Sequence, residues 1–198
     1  MKTFLAAFVV TAISWSCSLP SSSFEKPKQT GVDFSNGRWL LYNLDVPTDQ
    51  IQKLENKVVN DFSKILDGRF TYCPNSKGLL IAQKIPMQPD KAVIRTIKKG
   101  MDYDYFINIK AQRITNDLGS VSSKQVSPYA GESSNSGYVE MEIYDLNSES
   151  IIYSQKVISS VTRSKSDDKV HFSKSSYQLL MTAYNKVFND LKRKSILK

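Results

Sequence analysis

The sequence predicts an α+β domain in which a mostly antiparallel sheet carries helices packed on one face. Three observations lead to this class. Apolar residues recur at every second position through the middle of the chain, as in strands with one wet face. Apolar residues recur at helical spacing before and after that region. The elements follow the order β-α-β-β-α-β-β-β-α, which favours one sheet with helices packed against it in a single domain.

The first half of the predicted domain alternates strands with helices. Apolar residues at near-helical spacing, ended by Gly68, predict a helix over 49–66. A second helix is predicted over 87–100, because Pro89 suits a helix start and Gly100 suits a helix end. Short aromatic and aliphatic runs predict strands at 37–44, 69–73 and 78–82.

The second half is predicted to be a meander followed by a long helix. The segment 102–115 alternates apolar with polar residues and predicts a long strand. The segment 137–164 predicts a hairpin with a polar turn at 145–150. Glu140 and Glu142 alternate with apolar residues in it, which predicts that both carboxylates lie on the solvent face of the sheet.

The last helix is predicted over 175–194, where seven apolar residues form one stripe. Ser175 and Gln178 resemble a capping box at its start. The Ser- and Gly-rich segment 119–136 is predicted to be a flexible loop, and loops of this length are either functional or unstructured.

The N-terminus has the pattern of an export signal over residues 1–16. Lys2 provides a positive start, an apolar run follows over 4–13, and the small residues Ser14 and Ser16 precede Cys17. The apolar run is too short to span a membrane, which takes about 20 residues. The sequence therefore predicts export, a Ser/Pro-rich tether over 17–36 and an α+β domain over 37–198.

Two processing outcomes are open at Cys17. Small residues at −3 and −1 suit a general signal peptidase, whereas a cysteine directly after a small residue suits lipidation of that cysteine. The segment around Cys17 resembles a bacterial lipobox, although Ser14 stands where a Leu-like residue is usual and the bulky Trp15 stands at −2. The resemblance implies a diacylglyceryl group on Cys17, and several acyl chains on one residue hold a domain stably at a membrane.

Few residues suit catalysis or metal binding. The chain has two cysteines, so a lipidated Cys17 leaves Cys73 without a partner in the chain, whereas a retained, unmodified Cys17 could pair with it in an oxidising compartment. The single histidine, His171, has no nucleophile or ligand placed beside it by any motif. No nucleotide-binding glycine motif occurs. We therefore expect no enzymatic activity, no metal and no cofactor.

The net charge of +8 is partly concentrated in two places. Lys192, Arg193, Lys194 and Lys198 lie at the C-terminus, where cations complement the helix dipole. Lys91, Arg95, Lys98 and Lys99 form a candidate basic interaction patch, which could attract anionic lipid, phosphate or acidic proteins. Export and the lack of an RNA-binding motif argue against a nucleic-acid partner.

At the level of pattern, the chain resembles the bacterial envelope lipoproteins grouped with the TolB N-terminal domain. These include curli-secretion lipoproteins and the lipoprotein activators of penicillin-binding proteins. The resemblance is carried by the Asp104-Tyr105 pair that opens a long strand, by the "YDLNSE" hairpin turn and by the early segment "WLLYNLDVPTDQIQKL". The chain lacks the glycine-rich opening region of those families.

The resemblance implies an exported lipoprotein, held at a membrane through Cys17, that acts as a non-catalytic protein-binding module of the cell envelope. The alternative is a secreted soluble protein with hydrolase, anion-binding or lipid-binding activity. The sequence specifies neither the partner protein, nor the oligomeric state, nor whether the inner or the outer membrane holds the protein.

Overall fold

The computed structural model describes residues 21–25, 32–46, 51–75, 85–115, 132–164 and 176–196. These ranges contain six strands and three α-helices. The strands are β1 (Ser21–Phe24), β2 (Trp39–Asp45), β3 (Phe70–Tyr72), β4 (Tyr105–Thr115), β5 (Glu132–Asp145) and β6 (Ser150–Ser164). The helices are α1 (Ile51–Leu66), α2 (Lys91–Gly100) and α3 (Ser176–Lys194). The predicted α+β class is confirmed.

The strands form one sheet in the order β1-β6-β5-β4-β2-β3. Strand β2 pairs in parallel with β3 and β4, and the other pairs are antiparallel. The long β4–β5–β6 meander, whose strands the period-two pattern predicts, forms the centre of the sheet. Its register places residues of different strands in rows across the sheet, and these rows decide which side chains meet.

Helices α1 and α3 cover one face of the sheet and form the larger core with it. Phe62 of α1 lies between Phe188 of α3 and Phe70 of β3, at ring-centroid distances of 5.3 and 6.0 Å. Trp39 of β2 is fully buried and stacks on Tyr105 at 4.1 Å. These aromatic contacts join both helices to the parallel side of the sheet.

Helix α2 packs on the opposite face, which corrects the prediction that the helices lie on one face. Its buried residues Ile94 and Ile97 join a second core cluster with Leu40, Phe106 and Tyr144. The physical reason is that β2 is apolar on both sides, since Leu40 and Tyr42 alternate with Trp39 and Leu41. Such a strand buries both of its faces. The Asp90 side chain caps α2 by accepting a hydrogen bond from the Val93 amide at 2.9 Å.

Part of the predicted tether belongs to the fold. Strand β1 pairs with β6, and Val32 and Phe34 are buried in the main core. The Phe34 amide donates to the Ile196 carbonyl at 3.1 Å, which fixes this segment to the chain end. These residues therefore differ from the flexible tether predicted over 17–36. Strand β5 likewise begins at Glu132, within the loop predicted over 119–136.

Several predicted features lie outside the described residues. They are the export signal over 1–16, Cys17, the strand over 78–82, His171 and the capping residue Ser175. Of Cys17 and Cys73, only Cys73 is described, as a half-buried free thiol.

Replacing Gly137 with alanine is expected to lower the free energy of unfolding by about 1–3 kcal/mol through overpacking. A Cβ at this position of β5 would come within 2.8 Å of Cδ2 of Leu180, which is fully buried in α3. Urea unfolding measures the effect. The matched control is Gly100→Ala, where a Cβ meets nothing within 4 Å and the helix gains propensity, so equal destabilisation in both variants would contradict the packing described.

Candidate functional site

The sheet face opposite α1 and α3 carries a row of alternating charges across five strands. The register aligns Asp45 of β2 with Lys110 of β4, Glu140 of β5 and Lys156 of β6. Glu25, directly after β1, completes the row, because its amide donates to the Lys156 carbonyl at 3.1 Å. We call these five residues the charge row and the face that carries them the polar face.

The cations of the charge row lie close to neighbouring carboxylates. Lys156 Nζ lies 3.1 Å from Glu25 Oε1, and Lys110 Nζ lies 3.9 Å from Asp45 Oδ2. The hydrogen bond with Glu25 raises the pKa of Lys156. The cation of Lys156 also lies 4.9 Å from the ring centroid of Tyr138 on the same face. The row is therefore an ordered array of opposite charges and not a uniformly basic or acidic patch.

Glu140, at the centre of the row, has a raised pKa. Burial is the largest cause, and repulsion by Glu142 and Glu25 adds to it, while Lys156 and Lys110 act in the opposite direction. Ionised Glu140 is thus less favourable in the folded protein than in the unfolded chain.

Stability is therefore expected to fall as pH rises from about 4.5, the ordinary value for this carboxyl, through the raised pKa of Glu140. Stability falls in this direction because the folded state holds the Glu140 proton more tightly than the unfolded chain does. Glu140→Gln removes this titration, so the variant should gain stability relative to the native chain over that pH window. Urea unfolding at several pH values measures the difference, and a difference that does not change with pH would contradict the assignment.

Glu142 lies one row away and is fully buried, which corrects the prediction that it faces solvent. Its Oε2 accepts hydrogen bonds from the Gln88 amide at 2.9 Å and from the Tyr144 hydroxyl at 2.6 Å. Its Oε1 has no hydrogen-bond partner among the described residues. Burial, followed by the bond to Glu142, raises the pKa of Tyr144. The alternating pattern does not predict this burial, because it comes from residues 85–89, whose Gln88 amide bonds to Glu142.

A cleft of about 410 Å³ opens beside this point. Its lining combines the apolar residues Ile85, Pro86 and Met87 with the polar residues Asp45, Asn108 and Lys110. The Asn108 side-chain amide donates to the Pro86 carbonyl at 3.0 Å and so holds the apolar wall of the cleft against β4. An apolar wall next to opposite charges suits a long charged side chain, whose methylene stem and charged end need different surroundings.

The predicted basic patch on α2 is partly neutralised. Arg95 Nε lies 2.7 Å from Glu149 Oε1, in the turn between β5 and β6. Lys98 Nζ donates to the Tyr103 carbonyl at 3.0 Å and lies 3.8 Å from Asp104 Oδ1. Lys91 and Lys99 are exposed. The structure thus places these cations on one helix but uses two of them to hold neighbouring segments.

Cys73 has the surroundings of a structural thiol. It packs against the second core cluster, and burial raises the pKa of its thiol, which lowers the thiolate fraction available for reaction. No group of three or more His, Cys, Asp or Glu residues within the described ranges is placed to hold a metal ion. None of the described helices has the length and apolar character needed to cross a membrane.

Comparison with known proteins assigns no family. No family model and no curated protein matches the sequence. Among solved structures, the chain is similar to the PelC dodecamer protein from Paraburkholderia phytofirmans, at 8% identity and a TM-score of 0.45, covering 90% of this chain and 100% of that one. It is also similar to hypothetical protein CT253 from Chlamydia trachomatis, at 14% identity and a TM-score of 0.38, covering 83% of this chain and 94% of that one.

A third similar structure is lipoprotein GNA1162 from Neisseria meningitidis, at 12% identity and a TM-score of 0.30, covering 79% of this chain and 99% of that one. One bacterial lipoprotein therefore occurs among the proteins that this chain is similar to. With TM-scores below 0.5, these likenesses carry no argument about function, which depends on the site itself.

Most of this site could not be predicted from the sequence. Lys110, Glu140 and Lys156 each stand at a polar position of an alternating strand, and that alternation was the available signal. The row itself depends on strand register, which brings together residues as distant in sequence as Glu25 and Lys156.

Proposed function

We propose that this chain is a membrane-anchored bacterial lipoprotein that acts as a non-catalytic protein-binding module of the cell envelope, with the polar face as its binding surface. The charge row beside the cleft is the observation that carries this proposal. Alternating charges in fixed positions favour a partner with the complementary pattern and disfavour other surfaces. The cleft provides a pocket for one anchoring side chain of that partner.

The anchoring side chain we propose is a lysine or arginine. Its ammonium or guanidinium group would pair with Asp45, and its methylene stem would pack against Ile85, Pro86 and Met87. A partner carboxylate beside that cation would pair with Lys110, which lies 3.9 Å from Asp45. Such a pair of contacts uses both charges at the mouth of the cleft.

Binding is better supported than catalysis on this face. A general acid or base must reach its substrate within about 2.6–3.2 Å. Glu142 is fully buried, is bonded to Gln88 and Tyr144, and is not part of the cleft lining. Glu140 lies between Lys110 and Lys156 in the row. We therefore assign no catalytic residue.

The anchor is tested by the intact mass of the protein purified from its own membranes. We expect the native protein to have a mass that includes acyl chains on Cys17. We expect the Cys17→Ala variant to be unacylated and no longer retained at the membrane. Native protein with the mass of an unmodified chain beginning near Cys17 would overturn the anchor and favour the alternative of a soluble secreted protein.

The binding surface is tested by photo-crosslinking in the native envelope. A photoreactive amino acid replaces Gln112, which is exposed on the polar face and accepts a hydrogen bond from Tyr138 at 2.7 Å. The matched control is Asn185, exposed on α3. We expect a discrete adduct from position 112 that is absent from position 185. The same adducts from both positions, or none from position 112, would overturn the proposed surface.

A further inference from the structure

The distance between Cys17 and the sheet is short. Only Ser18, Leu19 and Pro20 separate Cys17 from Ser21, the first residue of β1. Four Cα–Cα steps of an extended chain reach at most about 14 Å. Ser21 is paired with Ser160 of β6, and their hydroxyls are 2.8 Å apart. A lipid on Cys17 would therefore hold the sheet itself within about 14 Å of the anchored residue.

This reach leaves little space between the domain and the bilayer. The headgroup region of one leaflet is about 5–7 Å thick. The remaining clearance above the headgroups is then about 7–9 Å, which is less than the diameter of one helix with its side chains, about 10–12 Å. A domain tied this closely contacts the membrane surface with the end that bears Ser21.

The register identifies the other residues at that end. Ser21 pairs with Ser160, which pairs with Ser136, which in turn pairs with Ile114, and β5 and β6 continue beyond this row to their paired ends Glu132 and Ser164. Helix α3 starts there, because Leu180 lies against Gly137, next to Ser136. The first turn of α1 lies there too, since Lys53 Nζ is 5.6 Å from the ring centroid of Tyr177 in the first turn of α3. We call this the anchor end.

The side chains of the anchor end suit an anionic lipid surface. Ile114 is an exposed apolar residue, with 41% of its surface accessible. Lys53 and Arg113 are exposed cations, and Tyr177 is half-buried beside Lys53. Tyrosine, lysine and arginine are favoured at the membrane–water boundary, and an anionic leaflet attracts cations that lie near its surface. The α2 cations lie at the opposite end, where Arg95 pairs with Glu149.

We infer that the anchor end rests on the anionic surface of the membrane that holds Cys17, so that the domain has a fixed orientation. This inference rests on the proposed lipidation of Cys17. It places the turn between β5 and β6, with Ser148, away from the membrane. The polar face, which runs between the two ends, then stands along the membrane normal and is accessible from the side.

The orientation is tested by fluorescence quenching in vesicles of phosphatidylethanolamine and phosphatidylglycerol that contain a nitroxide-headgroup lipid. Full-length lipidated protein, with Cys73→Ser to leave one reactive thiol, carries a fluorophore at Gln52→Cys or at Ser148→Cys. Both residues are exposed, the first in α1 at the anchor end and the second in the distant turn. We expect quenching at position 52 to exceed quenching at position 148 several times over.

Two further variants test whether the short connection to Cys17 and the cations of the anchor end cause this orientation. A spacer of about 15 Gly and Ser residues inserted after Pro20 adds about 20 Å of root-mean-square reach and should abolish the difference. The variant Lys53→Gln with Arg113→Gln should lower quenching at position 52 in the anionic vesicles. Acylated protein with equal quenching at both positions would overturn the orientation alone. Protein without acyl chains on Cys17 would overturn the proposed anchor and, with it, this inference.

Discussion

Replacing Trp39 with alanine is expected to lower the free energy of unfolding by about 3–5 kcal/mol. Trp39 is fully buried in the main core. Its ring stacks on Tyr105 at 4.1 Å and contacts Phe34 at 4.9 Å, and its indole Nε1 donates to the Asn36 carbonyl at 3.0 Å. The alanine variant loses all of these contacts and leaves a cavity between β2 and the segment before it.

Urea unfolding followed by circular dichroism measures this loss. The control is Trp39→Phe, which keeps an aromatic ring against Tyr105 and should cost clearly less. Removal of a fully buried tryptophan from a packed core lowers stability by more than about 1 kcal/mol. A loss below this value for the alanine variant would therefore contradict the packing described for Trp39.

Replacing Asp190 with alanine is expected to lower the free energy of unfolding by about 2–3 kcal/mol near neutral pH. Asp190 is buried in the last turns of α3, where it receives hydrogen bonds from Arg193 at 2.7 Å, Lys194 at 2.8 Å and Tyr153 at 3.2 Å. The variant removes the acceptor that joins the end of α3 to β6. Tyr153 also donates to the Val187 carbonyl, so its hydroxyl keeps one partner.

The cost of Asp190→Ala should depend on pH. Burial alone would raise the pKa of Asp190, but the bonds from Lys194, Arg193 and Tyr153 outweigh it and lower the pKa below the ordinary 3.8. The native chain therefore has this stability in full above about pH 3.8 and loses it as pH falls through the lowered pKa. Urea unfolding of both chains from neutral to acidic pH checks this, and a cost that stays constant into acid would contradict the assigned ionic contacts.

The elements with strong periodicity could be predicted from the sequence, and the position of α2 could not. The helices α1 and α3 and the β4–β5–β6 meander follow directly from apolar spacings of 3.6 and 2. The placement of α2 depends on which face of β2 it covers. The continuous apolar run Trp39-Leu40-Leu41-Tyr42 was the available signal, since a strand with apolar residues on both sides buries both faces.

Strand β1 and the charge row were hidden for a different reason. Ser21–Phe24 has the composition of a linker, and it forms a strand because β6 offers a free edge to pair with. The charge row needs the register of five strands, and a shift by one residue would move each charge to the other face. Glu142 alternates like a surface residue and is buried only because residues 85–89 lie above it.

Photo-crosslinking from position 112 can show whether the charge row on the polar face recognises a protein partner. The double variant Lys110→Gln with Glu140→Gln removes one charge of each sign, so the net charge of the protein is unchanged. We expect that the adduct formed from position 112 is lost in this variant while the protein remains folded and at the membrane. An adduct of undiminished yield would contradict the claim, because recognition would then be independent of the row.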